Sequence, residues 1–488
     1  MLTLVLLLLP LISSAITLLF RGSTAKYFAL LSAISNLIIT VLAYFVFINT
    51  DLKDEEARKV FVFNHEWISS PKINFHIAMD GISYLMVFLT NLLLPLIILS
   101  GFKREINRSH IFYSLILFMQ FALLGVFVSF DGILYYLFWE LALIPIYFIS
   151  LNWGDKNRVS VTIKFFIYTL AGSLLMLFGF ICLYWYNPTH SFDWNDLTKF
   201  QVLSTHQGLI FWLFFVAYAI KIPIIPFHTW QPNTYQSAPT QGTMLLSGIM
   251  LKMGTYSLIR WLLPIVPTAV TEWTPLAIAL CVAGIVYASV IAIMQTDLKK
   301  LLAYSSIAHV GLIAAGIFAW NIQGIQGSLI QMLAHGINVI GLFYCADIIF
   351  NRTQSNNING LGGIRLTAPK FATYFLIIIL GSIALPLTNG FIGEFLLLYG
   401  LFEYNTWLAI FGGLTIILGA VYMLRMYQKV ALGNSLDANM KFEDVKGTEE
   451  IVLLTICILI FAFGVFPKPT LELVEPIAQF ITDKAILK

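Results

Sequence analysis

A helix needs about 20 apolar residues to cross the hydrocarbon core of a bilayer, and this chain offers one such run after another along its whole length. The composition agrees: of 488 residues, 59% are hydrophobic and only 11% charged, with mean hydropathy +0.85. A water-soluble domain carries about 25% charged residues. The runs predict an all-α membrane protein with fourteen spans near 2–20, 25–48, 75–100, 111–129, 131–151, 160–185, 207–227, 240–263, 273–294, 300–319, 324–350, 371–401, 406–431 and 449–466. An even count puts both ends on one side. The N-terminus is apolar from Leu2, with neither a basic n-region nor a small-residue cleavage site, so it reads as the first span and not as a removable signal.

Several functions are excluded early. Cys182, Cys281, Cys345 and Cys457 all sit inside apolar runs without a CxxC pair, which argues for packing and against zinc or iron–sulfur ligation. No GxGxxG or P-loop is present. A net charge of +3 with no basic–aromatic cluster gives no nucleic-acid footprint.

Lysine and arginine set the orientation of such a chain. Of the 28, alternate loops hold 17 on one side and 9 on the other, the second group including Arg260, while Lys221 and Lys252 fall inside spans. The richer side is expected to be cytoplasmic, matrix or stromal. Two segments stand outside the pattern. Residues 49–74, with Asp51, Asp54, Glu55 and Glu56, read as an exposed loop. Residues 470–486 alternate apolar and charged positions at helical spacing, as an interfacial helix does; a frayed tail is the plainer alternative.

Two spans are broken. The seventh runs into Lys221-Ile-Pro-Ile-Ile-Pro226 and the twelfth contains Leu385-Pro-Leu-Thr-Asn-Gly390. Proline removes a backbone donor and ends or kinks a helix. Broken backbone at membrane depth survives only where protein buries it or a wet cavity borders it. The breaks are five spans apart, so the two helices cross in opposite directions. That predicts an inverted repeat of five-helix units. The expected parts are 1–110, the first repeat 111–263, the second repeat 273–431, and 449–488.

A charge at the centre of a spanning helix costs about 2.5–3.5 kcal/mol on insertion scales, so each one here needs a reason. Glu140 lies midway along the fifth span and Lys221 at the first break. Paired, both would stay charged; separated, the desolvated lysine could release its proton. A fixed structural salt bridge is the alternative. Lys252 lies inside the eighth span without a charged neighbour in sequence, His309 and His335 on the tenth and eleventh, and Glu394 just past the second break. Histidine can pass a proton through either ring nitrogen, although a lone histidine in an apolar helix is more often a packed core residue. Asp80, Asp131 and Asp297 stand at helix starts, where capping accounts for them. The series Glu140, Lys221, Lys252, His309, His335 and Glu394 reads as a lateral polar path at mid-membrane.

At these residues the chain resembles the antiporter-like proton-pumping subunits of respiratory complex I, a family shared with Mrp-type cation/proton antiporters. The likeness is carried by Phe138-Trp-Glu-Leu-Ala-Leu-Ile-Pro145, Lys221-Ile-Pro-Ile-Ile-Pro-Phe-His228, Ala238-Pro-Thr-Gln-Gly242, Gln295-Thr-Asp-Leu-Lys-Lys-Leu-Leu-Ala-Tyr-Ser305 and Asn389-Gly-Phe-Ile-Gly-Glu-Phe395. The resemblance implies fourteen helices, two inverted five-helix units and proton translocation driven by quinone reduction in partner subunits. It matches Glu140, Lys221 and Lys252 to the family's acid on helix 5 and lysines on helices 7 and 8, and His309 and His335 to its histidines on helices 10 and 11. One member carries glutamate on the broken helix 12 where its sisters and the Mrp antiporters carry lysine, and Glu394 fits that member.

The resemblance also implies that this chain binds no cofactor. NADH, FMN, iron–sulfur clusters and quinone would sit in partner subunits, with antiporter-like sisters on both sides. The host would be a bacterial inner membrane, or a mitochondrial inner or thylakoid membrane. The stretch Trp230-Gln-Pro-Asn-Thr-Tyr-Gln-Ser-Ala-Pro-Thr240 departs from the family, which has titratable groups where Asn233, Tyr235 and either Gln236 or Ser237 stand here. An Mrp-type sodium/proton antiporter subunit and a scaffold that does not pump are the competing readings.

Overall fold

In a computed structural model, residues 1–49, 60–200, 202–433 and 442–486 are described. Asp51, Asp54, Glu55 and Glu56 of the expected loop lie outside them. Among the described residues, ten helices are long and apolar enough to cross a membrane. Their backbone groups are satisfied internally, as a hydrocarbon solvent demands. They are not equivalent. The helices Leu298–Ala319 and Ile322–Thr353 are almost wholly wrapped by protein, whereas Ser23–Asn49, Thr448–Val465 and the run from Thr406 to Leu432 keep most of their surface outward. Apolar residues all round a helix mean burial on every face. Here the polar exceptions on the two wrapped helices therefore face protein.

Side-chain caps fix several helix starts. Asp80 accepts from Ser83 N at 3.0 Å, Asp131 from Ile133 N and Leu134 N, and Asp297 from Lys300 N at 2.9 Å. All three aspartates do what their sequence positions predict. Asp131 does more: its second oxygen accepts from Asn74 N at 3.0 Å. Burial pushes its carboxyl up to about 6, against the pull of these backbone donors.

The third span is shorter than the sequence predicts. Residues 73–77 are not helical but pair with Phe63–Ile68 as an antiparallel hairpin, with Phe63 opposite Ile77 and His65 opposite Phe75. The alternating Ile73-Asn-Phe-His-Ile77 has the period of a strand, and Asp80 caps the helix only from Gly81. The expected loop is thus partly strand. His76 Nδ1 meets Asp193 Oδ2 at 2.5 Å and Ala78 N donates to Val128 O at 2.8 Å, which ties the hairpin to the bundle.

The tail from Lys468 to Ile486 is a helix. It lies across Gly81–Ser100 and Ile322–Thr353, where Trp320 Nε1 donates to Ile481 O at 2.9 Å. Gly81 is required there, because a Cβ would stand 2.2 Å from the carbonyl oxygen of Leu473.

Arg260 corrects the loop tally. It is 1% exposed, and its Nη2 donates to both oxygens of Asp80 at 2.6 Å. Its guanidinium stacks over Phe130 and Trp194 at 4.7 and 5.1 Å. A cation near a helix end is indistinguishable in sequence from a loop cation until its partner, 180 residues away, is placed. Breaking a buried pair from one side costs about 3–5 kcal/mol. Arg260→Leu is therefore expected to melt the solubilised protein markedly earlier; an unchanged melting curve would show that the pair adds nothing.

Candidate functional site: a buried polar row between two helix breaks

The first break lies where the prolines put it. The helix Ser204–Lys221 stops at Lys221 and a second short helix runs Gln231–Ser237. The indole Nε1 of Trp230 donates to Ile220 O at 2.9 Å and so satisfies a carbonyl that the broken helix leaves over. Lys221 is 2% exposed and its Nζ lies 5.2 Å from the ring centre of Trp139.

The neighbouring Glu140 has Tyr136 and Ser173 within reach of its carboxylate. The sequence predicts a Glu140–Lys221 pair, but the two are not in contact. Neither Lys221 Nζ nor Glu140 Oε1 has a hydrogen-bonding partner among the described residues. They interact through space. The lysine holds to the indole face by cation–π attraction.

Lys252 stands on the continuous helix over 240–262, which is interrupted by wide π turns at Leu246–Met250 and Leu258–Leu262. Such turns are frequent at functional positions. Lys252 Nζ donates to Ser247 O, five residues back, at 2.7 Å, and lies 2.8 Å from His335 Nδ1. His335 Nε2 lies 3.1 Å from Ser306 Oγ. With the ammonium donating to Nδ1, the neutral imidazole carries its proton on Nε2 and donates to the serine.

The second break also matches its sequence. Pro369–Ser382 ends, six residues turn, and Asn389–Tyr404 begins. The expected span over 371–401 is therefore two helices. Ala384 and Leu387 hold φ of 57° and 75° in that turn, and non-glycine residues there store about 1–3 kcal/mol each. Glu394, 1% exposed, lies in the second half-helix near its positive end. Its Oε1 accepts from His309 Nδ1 at 2.9 Å and from Gln331 Nε2 at 3.1 Å. Its Oε2 has no partner among the described residues.

The rings of His309 and His335 are 6.2 Å apart, centre to centre. A cavity of about 10 Å³ lies among Ser305, Ser306, His309, Gln331, His335 and Asn338, room for about one water.

The structure thus joins Lys252 to His335 and His309 to Glu394, and brings the two pairs side by side. Glu140 and Lys221 form a separate neighbourhood. Gln331 and the Ser247 carbonyl were not singled out in sequence. Glutamine in an apolar helix is a signal for the first, and nothing local announces the second. Among the described residues no group of three His, Cys, Asp or Glu is placed to hold a metal ion.

Two broken helices and a buried lysine–histidine–glutamate row thus stand within a polytopic membrane protein. The sequence pattern described as NADH:quinone oxidoreductase/Mrp antiporter, transmembrane, matches residues 129–425, and the chain belongs to that family. It is similar to NADH-quinone oxidoreductase subunit M of Rickettsia bellii, at 38% identity over 478 residues and 95% of each chain. It is also similar to NADH-ubiquinone oxidoreductase chain 4 of Marchantia polymorpha, at 36% identity over 470 residues, 96% of this chain and 94% of that one. A chain of respiratory complex I from Thermus thermophilus superimposes with a TM-score of 0.90 at 27% identity, covering 99% of this chain and 100% of that one. A chain of the Mrp complex from a Dietzia species shares the fold, with a TM-score of 0.83 at 17% identity, over 100% of this chain and 99% of that one.

Proposed function

We propose that the chain is an antiporter-like membrane-arm subunit of an NADH:quinone oxidoreductase and that it moves protons along Glu140, Lys221, Lys252, His335, His309 and Glu394. In this reading it has fourteen spanning helices, with inverted repeats over 111–263 and 273–431. It sits between sister subunits in a bacterial inner membrane. NADH, FMN, iron–sulfur clusters and quinone belong to the partners, and this chain supplies only the proton path.

The observation that carries the reading is the hydrogen-bonded run Lys252–His335–Ser306 beside His309–Glu394, on helices wrapped by protein. Buried ionisable groups in a membrane helix are expensive and mark ion pathways. At Lys252 and His335 a proton passing to Nδ1 releases the one on Nε2 towards Ser306. At the other end Glu394 takes a proton that His309 delivers. Between Glu140 and Lys221, a change in spacing changes how firmly the lysine holds its proton. Glutamate at 394 favours the redox-driven complex over the sodium/proton antiporter, which by resemblance carries lysine there.

The test is to purify the chain with its partners. Flavin and iron–sulfur subunits with NADH:quinone reductase activity are expected to come with it. A set of small antiporter subunits without a redox centre would refute the reading.

A further inference from the structure

The helix over 240–262, which carries Lys252, and the helix Ile322–Thr353, which carries His335, run antiparallel and meet at three levels. At the site, Lys252 Nζ reaches His335 Nδ1 at 2.8 Å. Just beyond it, Gly248 and Gly336 let the two backbones close: a Cβ on Gly336 would stand 3.0 Å from the Gly248 carbonyl oxygen. Twelve residues from the site on each helix, about 18 Å away, Thr240 donates its hydroxyl to Asp347 Oδ1. The equal spacing along both helices makes the two contacts one register.

The distant contact is elaborately held. Asp347 is 3% exposed. Arg104, from the turn after Gly81–Ser100, donates Nη2 to the same Asp347 oxygen and, at 2.7 Å, to Asn351 Oδ1. Asn351 Nδ2 donates to Asp347 Oδ2 at 3.2 Å. Lys299, on the helix that also carries Ser306 and His309, lies 3.5 Å from the carbonyl oxygens of Gln236 and Ala238, in the stretch leading into Thr240. All three helices that supply the Lys252–His335–His309 row are therefore tied at this one end.

A slip of one residue moves a side chain about 1.5 Å along the helix axis and turns it by about 100°. A contact of 2.8 Å does not survive that. A buried carboxylate stripped of its partners is costly, so the clamp has one satisfied arrangement and resists such a slip. We propose that Asp347, gripped by Arg104 and Thr240, is a positioning residue that sets the Lys252–His335 contact from the far end of the helix pair. The proposal rests on the proton-relay reading of Lys252 and His335.

The test uses the whole complex in membrane vesicles. Protons moved per NADH oxidised report coupling. NADH oxidation by a water-soluble artificial acceptor reports the intact redox arm. Asp347→Ala is expected to lower the coupling ratio by about two- to thirtyfold while the artificial-acceptor rate stays unchanged. Arg104→Gln, at a partly exposed side chain, should do the same, and Arg104→Lys should recover most of the loss. Should Asp347→Ala not assemble, the two Arg104 variants decide. A role in assembly alone would move the artificial-acceptor rate and would overturn the proposal. So would a wild-type coupling ratio in Asp347→Ala and Arg104→Gln. Lys252→Met separates the two readings. If it uncouples and the clamp variants do not, the clamp alone fails; if Lys252→Met pumps fully, the relay reading fails and the clamp with it.

Discussion

Replacing Glu140 by glutamine is expected to lower NADH-driven proton translocation by the assembled complex by about a hundredfold, within the range that a positioned proton-transfer group supplies. The exchange keeps the shape and keeps groups that Tyr136 and Ser173 can bond, so the bundle should fold. What it removes is the charge that Lys221 feels through space. Among the described residues, the face of Trp139, at 5.2 Å, would remain as the favourable neighbour of Lys221. Acidification of inverted vesicles on NADH addition measures the effect. Pumping at the wild-type ratio of protons to NADH would sink the idea that this acid governs the lysine.

Glu394→Gln should be as damaging, for a different reason. The glutamine carbonyl can still accept from His309 Nδ1, now 2.9 Å from Glu394 Oε1, and from Gln331 Nε2. Geometry is retained and only the capacity to take a proton is lost. Translocation is again expected to fall by about a hundredfold, with normal assembly as the control. Were vesicles carrying this variant to acidify at full rate, Glu394 would be a structural anchor for His309 and not a station.

The parts of this architecture that follow from local physics were legible in the sequence. Paired prolines at 223 and 226 and the Pro386–Gly390 stretch put both breaks where the helices do stop, because missing donors and forced turns act on the nearest residues. The six residues of the proposed path were conspicuous as ionisable groups in apolar runs. Their partners were not. His335 lies 83 positions from Lys252 and His309 lies 85 from Glu394, and no local rule orients two helices that far apart in the chain.

Burial misled in the same way. Arg260 counted as a loop cation although it is sealed beneath Asp80, and Asp347 drew no attention although it is deeply buried. The hairpin at 63–77 was missed because its strands alternate over only a few residues before a long apolar run takes over. The direct Glu140–Lys221 pair was expected on cost alone, and the indole of Trp139 supplies the alternative that a charge count does not foresee.

The carboxylate of Glu394 is lopsided. One oxygen is spoken for by donors from two helices, and the other has no donor among the described residues. A proton handed over by His309 must arrive at the first oxygen, whereas one exchanged at the second leaves both existing bonds in place. On the proposed path, arrival from His309 and departure from the second oxygen would use separate doors, which would give the side chain a sense of direction before any helix moves.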